Sequence, residues 1–248
     1  MSKPQWHAAW VRKTGITVWQ MGDDGSVGDK DTLPPNGLSS LPGPVIAAGV
    51  PVQPRKVPAK AELATTHVED LPHIAAITPL MQNVPAARTA GEEAAITGYL
   101  QKNSAFDGVL LVLSEQTCWA HISAGEVVSF QTFLTPELRS ALGAPRPTID
   151  ASFNSALSDT LARPDRLAQH LASARAARTG QEATHLIGAE IAAAKPYWLG
   201  QNLVVLAREA DATPYIAALQ AQGVKARHDD LETALLTGLR AAWQKIAT

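Results

Sequence analysis

The sequence predicts an α/β fold with mixed β-sheets. The first half is rich in strand signals, the second half is rich in helix signals, and the last hundred residues alternate between the two. Proline crowds the first half while alanine and leucine dominate the second, so two unlike parts are expected, residues 1–105 and 106–248.

Two runs, Gln5 to Val11 and Ile16 to Met21, carry Trp, Val, Ile and Thr near alternate positions, and Gly22-Asp23-Asp24-Gly25 supplies turn chemistry after the second. These predict an opening β-hairpin, extended by Ser26 to Asp29 and sharing a sheet with Val109 to Leu113. Prolines between Leu33 and Pro58 remove backbone donors, leaving loop around one short strand, Pro44 to Val50. Gly91 to Lys102 reads as a helix, with Glu92 and Glu93 at its positive end and Ile96, Tyr99 and Leu100 as its apolar stripe. Val109 to Leu113 is a continuous apolar run that suits a strand covered on both faces. Trp119 to Ser123 and Glu126 to Phe133 follow as strands around Ala124-Gly125. Thr135-Pro136-Glu137 is a helix start, with Thr135 as hydroxyl cap. Helical patterns then cover Ser155 to Leu161, Asp165 to Ala177 and Gln181 to Ala194. Leu203 to Leu206 is a buried strand, Thr213-Pro214 opens a helix that Gly223 ends, and Val224 to His228 is a short strand. The last helix, Leu231 to Ile246, repeats Leu231, Leu235, Leu239, Ala242 and Ile246 at helical spacing.

With 248 residues, 46% of them hydrophobic, the chain can bury a substantial core. Its formal net charge of −2, without a block of one sign, excludes the basic stripe of a nucleic-acid or anionic-lipid binder. The opening MSKPQWHAAW has no secretory pattern, and no apolar run approaches the roughly 20 residues of a membrane span. The single cysteine, Cys118, excludes an internal disulfide, and the expected compartment is the cytoplasm. A P-loop, a dinucleotide fingerprint, a zincin motif, a C-x-x-C pair and a nucleophile elbow are all missing from the sequence, and its seven histidines are scattered.

Several segments in order carry a resemblance. WAHISAGEVVSFQTFLTPEL (119–138) is similar to a strand, turn, strand and F-x-T-F-[ML]-T-G-E-L run, and Gly91-Glu92-Glu93 to an R-G-E-E-T helix start. PVIAAG (44–49), Ile77-Thr78-Pro79-Leu80, SARAAR (173–178), LIGAEIAAA (186–194) and Asp230 to Leu239 match further motifs. Together they resemble the 2-dehydro-3-deoxygalactonokinase family. That resemblance implies a two-lobed actin-like ATPase (ribonuclease-H-like) fold and ATP- and magnesium-dependent phosphorylation of 2-dehydro-3-deoxygalactonate. The implied partner is a small-molecule sugar acid, with a homodimer as a further expectation and no nucleic acid or membrane.

The family resemblance also assigns roles. Glu92 and Glu93 are the candidate catalytic acids, as proton acceptor or metal partner, expected within reach of Thr135 or Glu137. Thr132, Thr135, Glu137 and Arg175 are the candidate substrate contacts, with Arg175 and Arg178 on one helical face. Arg12, Lys13, Thr14 and Thr117 are the candidate nucleotide contacts, and no metal ligand is assigned. Both acids and Thr135 have equally simple roles at helix N-termini.

The chain departs from the family in its phosphate loops. Where relatives open with D-W-G-T-T, this chain has Ala9-Trp10-Val11-Arg12-Lys13, without the acid or the tight glycine. The L-P-G-T-H-S-K-W loop appears as Leu113-Ser114-Glu115-Gln116-Thr117-Cys118-Trp119, and a strand-end glycine is Arg208. Phosphoryl transfer depends on positioning and charge neutralisation, so these losses keep two alternatives open. One is a catalytically inactive homologue that acts as a ligand-binding or regulatory module. The other is a hydrolase or transferase that uses Glu92 or Glu93 without nucleotide.

Overall fold

A computed structural model describes residues 6–62 and 64–247. The opening hairpin is β1 (Trp6–Arg12) and β2 (Gly15–Met21), and Gln5, the expected first residue, lies outside the described residues. Then come β3 (Val27–Leu33), β4 (Val45–Ala48), β5 (Arg55–Lys56), β6 (Ala59–Lys60), β7 (Thr65–Val68), β8 (Leu71–Ile77), β9 (Leu80–Asn83), β10 (Ala86–Arg88) and α1 (Glu92–Lys102). The second half contains β11 (Gly108–Leu113), β12 (Thr117–Ser123), β13 (Glu126–Phe133), α2 (Thr135–Ala141), α3 (Ala151–Ala162), α4 (Leu167–Ala177), α5 (Glu182–Ala193) and α6 (Lys195–Trp198). It ends with β14 (Leu203–Ala207), α7 (Glu209–Gln220), β15 (Ala226–Asp230) and α8 (Leu231–Ile246).

The chain folds into two compact units. The first runs as far as Phe106, takes in Ser123–Ser129 and resumes at Glu232; the second holds Asp107–Ile122 and Phe130–Leu231. In the first unit a six-stranded mixed sheet has the order β3-β2-β1-β4-β8-β7. β1, β4 and β8 run parallel, with Trp10 opposite Ala48 and Ala47 opposite Ala76. Side chains alternate across the sheet. Ala9, Ile16, Val18, Val45, Ala47, Ile74 and Ala76 form an apolar cluster on one face. On the other face Trp6 stacks on Trp243 of α8 at 5.1 Å, and Trp19 Nε1 donates to Glu232. α1 crosses α8 where Gly98 and Gly238 remove side chains: a Cβ at either would lie within 2.1 Å of the other helix's carbonyl oxygen. A three-stranded sheet, β10-β9-β5, completes this unit.

The hairpin's sheet includes β3, as expected, but not Val109 to Leu113. Those residues form β11 in the sheet ordered β15-β14-β11-β12-β13, and β6 pairs with Glu126 and Val127 at the start of β13. β11 is buried at every position, which explains its unbroken apolar run. In the second unit Leu111, Trp119, Phe153, Leu157, Ile187, Ile191, Leu203 and Val205 form the core under α3, α5 and α7.

Local corrections follow from hydrogen bonding. α3 begins four residues before the expected Ser155, because Asp150 accepts from Ser152 N and Phe153 N, each at 2.9 Å. α7 begins at Glu209 instead of Thr213-Pro214, and its early acids Glu209 and Asp211 favour that end. Pro214 lies inside this helix, just beyond the first four N–H groups that have no intrahelical acceptor, so one backbone hydrogen bond is lost. Thr135 does not cap α2: Leu134 occupies the cap position, and the Thr135 hydroxyl faces inward. Arg178 ends α4 in the left-handed region (φ 54°), so it does not share a helical face with Arg175.

Candidate functional site

In sheets built on parallel strands, ligands bind at the carboxyl ends, where the chain turns toward the next helix. In the first unit those ends are Arg12, Gly49 and Thr78, and the start of α1 lies against them. Gly49 (φ 82°) follows β4 so closely that a Cβ would sit 2.1 Å from the Val11 carbonyl oxygen. Gly91 (φ 111°) precedes α1, and a Cβ there would sit 2.5 Å from Trp10 Nε1. Only glycine fits at these points.

Glu92 and Glu93 follow directly, and both are buried. Glu92 Oε2 accepts from Ala90 N at 2.5 Å, and Glu93 Oε2 accepts from Gly91 N at 3.0 Å. Each acid therefore satisfies an N–H just before the helix, a local structural role. Glu93 has more to offer, because its Oε1 is buried without a partner. Burial pushes its carboxyl up to about 7; a hydrogen bond with Thr89 opposes this and the nearby Glu92 adds to it. A buried carboxyl near neutrality with one oxygen unmet is a chemically poised group.

On the same side, the Arg12 guanidinium lies over the Trp10 ring at 4.8 Å, and its Nη2 donates to Thr17 Oγ1 at 2.7 Å. Lys13 and Thr14, at the hairpin turn, are exposed.

In the second unit the structure draws together a group that sequence reasoning missed. Glu190 of α5 is buried and has no basic residue among its hydrogen-bond partners. Its Oε1 accepts from Thr117 Oγ1 at 2.7 Å and Trp119 Nε1 at 2.8 Å, and its Oε2 accepts from Tyr215 Oη at 2.8 Å. Burial raises its pKa, while hydrogen bonds from Thr135, Thr117, Trp119 and Tyr215 oppose that rise. Burial likewise holds the Tyr215 phenol well above its usual value, with the Glu190 charge adding to it. The carboxylate joins β12, α2, α5 and α7. Thr117 is wholly enclosed and its hydroxyl is committed to Glu190, so it is not placed to meet a phosphate. The signal for Glu190 was an acid inside an otherwise apolar helical run, LIGAEIAAA.

The other candidates are dispersed in this unit. Thr132 is partly buried on β13, Glu137 is exposed on α2, and Arg175 is exposed on α4 with Nη2 3.4 Å from the Leu142 carbonyl. Arg208 donates to Asp211 Oδ2 at 2.7 and 3.0 Å, and Arg146 holds the other Asp211 oxygen.

The mixed sheets and the two compact units define an α/β fold. A solved structure from Sinorhizobium meliloti, described as a candidate 2-dehydro-3-deoxygalactonokinase, superimposes with TM-score 0.82 over 97% of this chain and 99% of its own, at 22% identity. That likeness establishes the fold. An ethanolamine utilization protein EutJ from Carboxydothermus hydrogenoformans (TM-score 0.45, 12% identity, 98% of this chain and 90% of that) and a sucrose-bound ROK family protein from Streptococcus pneumoniae (0.42, 9%, 98% and 99%) are too distant to carry an argument. No curated protein has a significant match. The family model for 2-keto-3-deoxy-galactonokinase matches residues 44–242, and the chain belongs to that family of sugar-acid kinases.

Proposed function

We propose that the chain phosphorylates a small sugar acid with ATP, 2-dehydro-3-deoxy-D-galactonate being the first candidate. Glu93 takes the proton from the hydroxyl that receives the phosphoryl group. The observation that carries this reading is the Glu93 carboxyl, buried at the carboxyl ends of parallel strands with Oε1 unpartnered and its pKa about 7. A base poised near neutrality is ionised often enough to accept a proton and basic enough to hold it. Glu92 raises that basicity through its own charge. Thr132, Glu137 and Arg175 are proposed polar ligand contacts within the second unit, and Lys13 and Thr14 are proposed nucleotide contacts within the first. Thr135 leaves the substrate set, because its hydroxyl serves Glu190.

Magnesium, which the family resemblance implies, is not matched by a protein ligand set. Ala9 stands where relatives have an acid and is sealed in the apolar cluster, and among the described residues no three His, Cys, Asp or Glu converge. Magnesium in phosphoryl transfer is commonly held by one or two carboxylates together with substrate phosphates, so it would enter on the phosphates of ATP, and the proton transfer to Glu93 does not pass through it.

Ala9, the enclosed Thr117 and the Asp211-bound Arg208 favour a second reading, a sugar-acid-binding module without turnover. No helix among the described residues is long and apolar enough to cross a membrane, and a cytoplasmic site of action is proposed. The test is ADP release with Mg-ATP and a panel of sugar acids. Release that depends on one sugar acid supports the kinase. Binding of the acid without release supports the module, and neither binding nor release refutes both.

A further inference from the structure

We propose that Arg12 is the seat for the carboxylate of the sugar acid, so that the ligand runs along the carboxyl ends of β1 and β4 from Arg12 to Glu93. This rests on the sugar-acid reading above and moves Arg12 from the nucleotide to the acid.

Seven side-chain nitrogen and oxygen atoms of the described residues are buried without a partner, and three belong to this one place: Trp10 Nε1, Arg12 Nε and Glu93 Oε1. They are linked in space. Trp10 and Arg12 share a face of β1, Trp10 Nε1 abuts Gly91, and Gly91 N donates to Glu93. Buried polar groups are otherwise nearly always satisfied, and a cluster of unmet ones at strand ends marks a ligand position.

The chemistry selects a monoanion with hydroxyl groups. Arg12 is one cation, placed over the Trp10 ring at 4.8 Å and tied through Nη2 to Thr17, with the adjacent Nε–H unmet. A guanidinium edge fixed in this way matches the two oxygens of a carboxylate. Glu93 Oε1 is an acceptor and suits a hydroxyl donor. A sugar acid offers one negative charge to Arg12 and hydroxyls to Glu93. Arg12 is partly exposed, while its Nε is enclosed.

The test is calorimetry on the full chain without nucleotide, using 2-dehydro-3-deoxy-D-galactonate, D-galactonate and the neutral polyol galactitol. Losing a charge-assisted hydrogen bond should weaken acid binding by roughly 10- to 100-fold in Arg12→Met. Arg12→Lys, which keeps charge but loses the fork, should fall between and carries the test if the methionine variant does not fold. Galactitol should bind wild type and both variants alike. Acid affinity unchanged in both variants, acids binding no better than galactitol, or no acid binding at all would overturn the proposal. Phosphoryl transfer with KM for the acid unmoved by Arg12→Lys sinks the seat and leaves the kinase. Arg12-dependent acid binding without transfer sinks the kinase and leaves the seat.

Discussion

Replacing Glu93 with glutamine removes a titrating group from the protein interior while keeping an oxygen to accept from Gly91 N. In the folded protein the carboxyl is raised from its ordinary 4.5 to about 7, chiefly by burial. A carboxyl raised on folding binds its proton more tightly in the folded state, so it costs no stability below pH 4.5. The penalty grows as pH rises through the window from 4.5 to 7 and is complete above it. At 1.36 kcal/mol per pH unit, the full penalty is about 3 kcal/mol. Glu93→Gln escapes it. Urea denaturation of wild type and variant at pH 4.5, 5, 6, 7 and 8 isolates Glu93 and what is coupled to it, because independent titrations cancel in the difference. The variant should gain about 3 kcal/mol relative to wild type between pH 4.5 and pH 8. Parallel stability curves over that range would refute the buried, raised carboxyl. Glu92→Gln, by removing the neighbouring charge, should shift the wild-type inflection to lower pH.

Three further outcomes follow from the packing. Glu190→Gln turns an amide N–H₂ toward donors that need an acceptor, so urea denaturation should show a loss of about 2–4 kcal/mol, and a negligible loss would remove the carboxylate knot from the account. Gly238→Ala pushes a Cβ to 2.1 Å from the Ala94 carbonyl oxygen, so the variant should lose most of its thermal stability, and an unchanged Tm would contradict the α1–α8 crossing. Asp150→Ala removes the cap that accepts from Ser152 N and Phe153 N and should cost about 1 kcal/mol in a urea titration.

How much of this was legible depended on whether a feature is local. The hairpin, α1, β11 and α8 were written in periodicity, because each buries one stripe or both faces, and the pattern is visible without knowing the partner. Even so, Ile246 closes the periodic run of α8 and is 42% exposed, so spacing alone did not fix where burial stops. Strands β5 to β10 were missed among the prolines: β5, β6 and β10 have only two or three residues and carry no period, and in the longer β8 the exposed Pro72 and His73 precede a solid apolar run, so no alternation marks it. Membership of a sheet is likewise non-local, which is why the hairpin was assigned to the sheet of Val109 to Leu113.

The candidate site divides the same way. Glu92 and Glu93 were legible because two acids after a glycine mark a helix start, but nothing in the sequence distinguishes Glu93, with one oxygen unmet, from its neighbour. Thr117 and Thr135 were read as ligand contacts, whereas their hydroxyls converge on Glu190, 73 and 55 positions away along the chain. A hydrogen bond of that span leaves no trace in local composition.

The central claim is that Glu93 is the base of a sugar-acid kinase. Its most direct test is mass-spectrometric detection of phosphorylated 2-dehydro-3-deoxy-D-galactonate after incubation with Mg-ATP, for wild type and Glu93→Gln across pH 6 to 8. The account predicts product from wild type, formed faster as pH rises through about 7, and a rate roughly 100-fold or more lower for the variant. No product from the wild-type chain, or a variant as fast as wild type with the same pH profile, would contradict it.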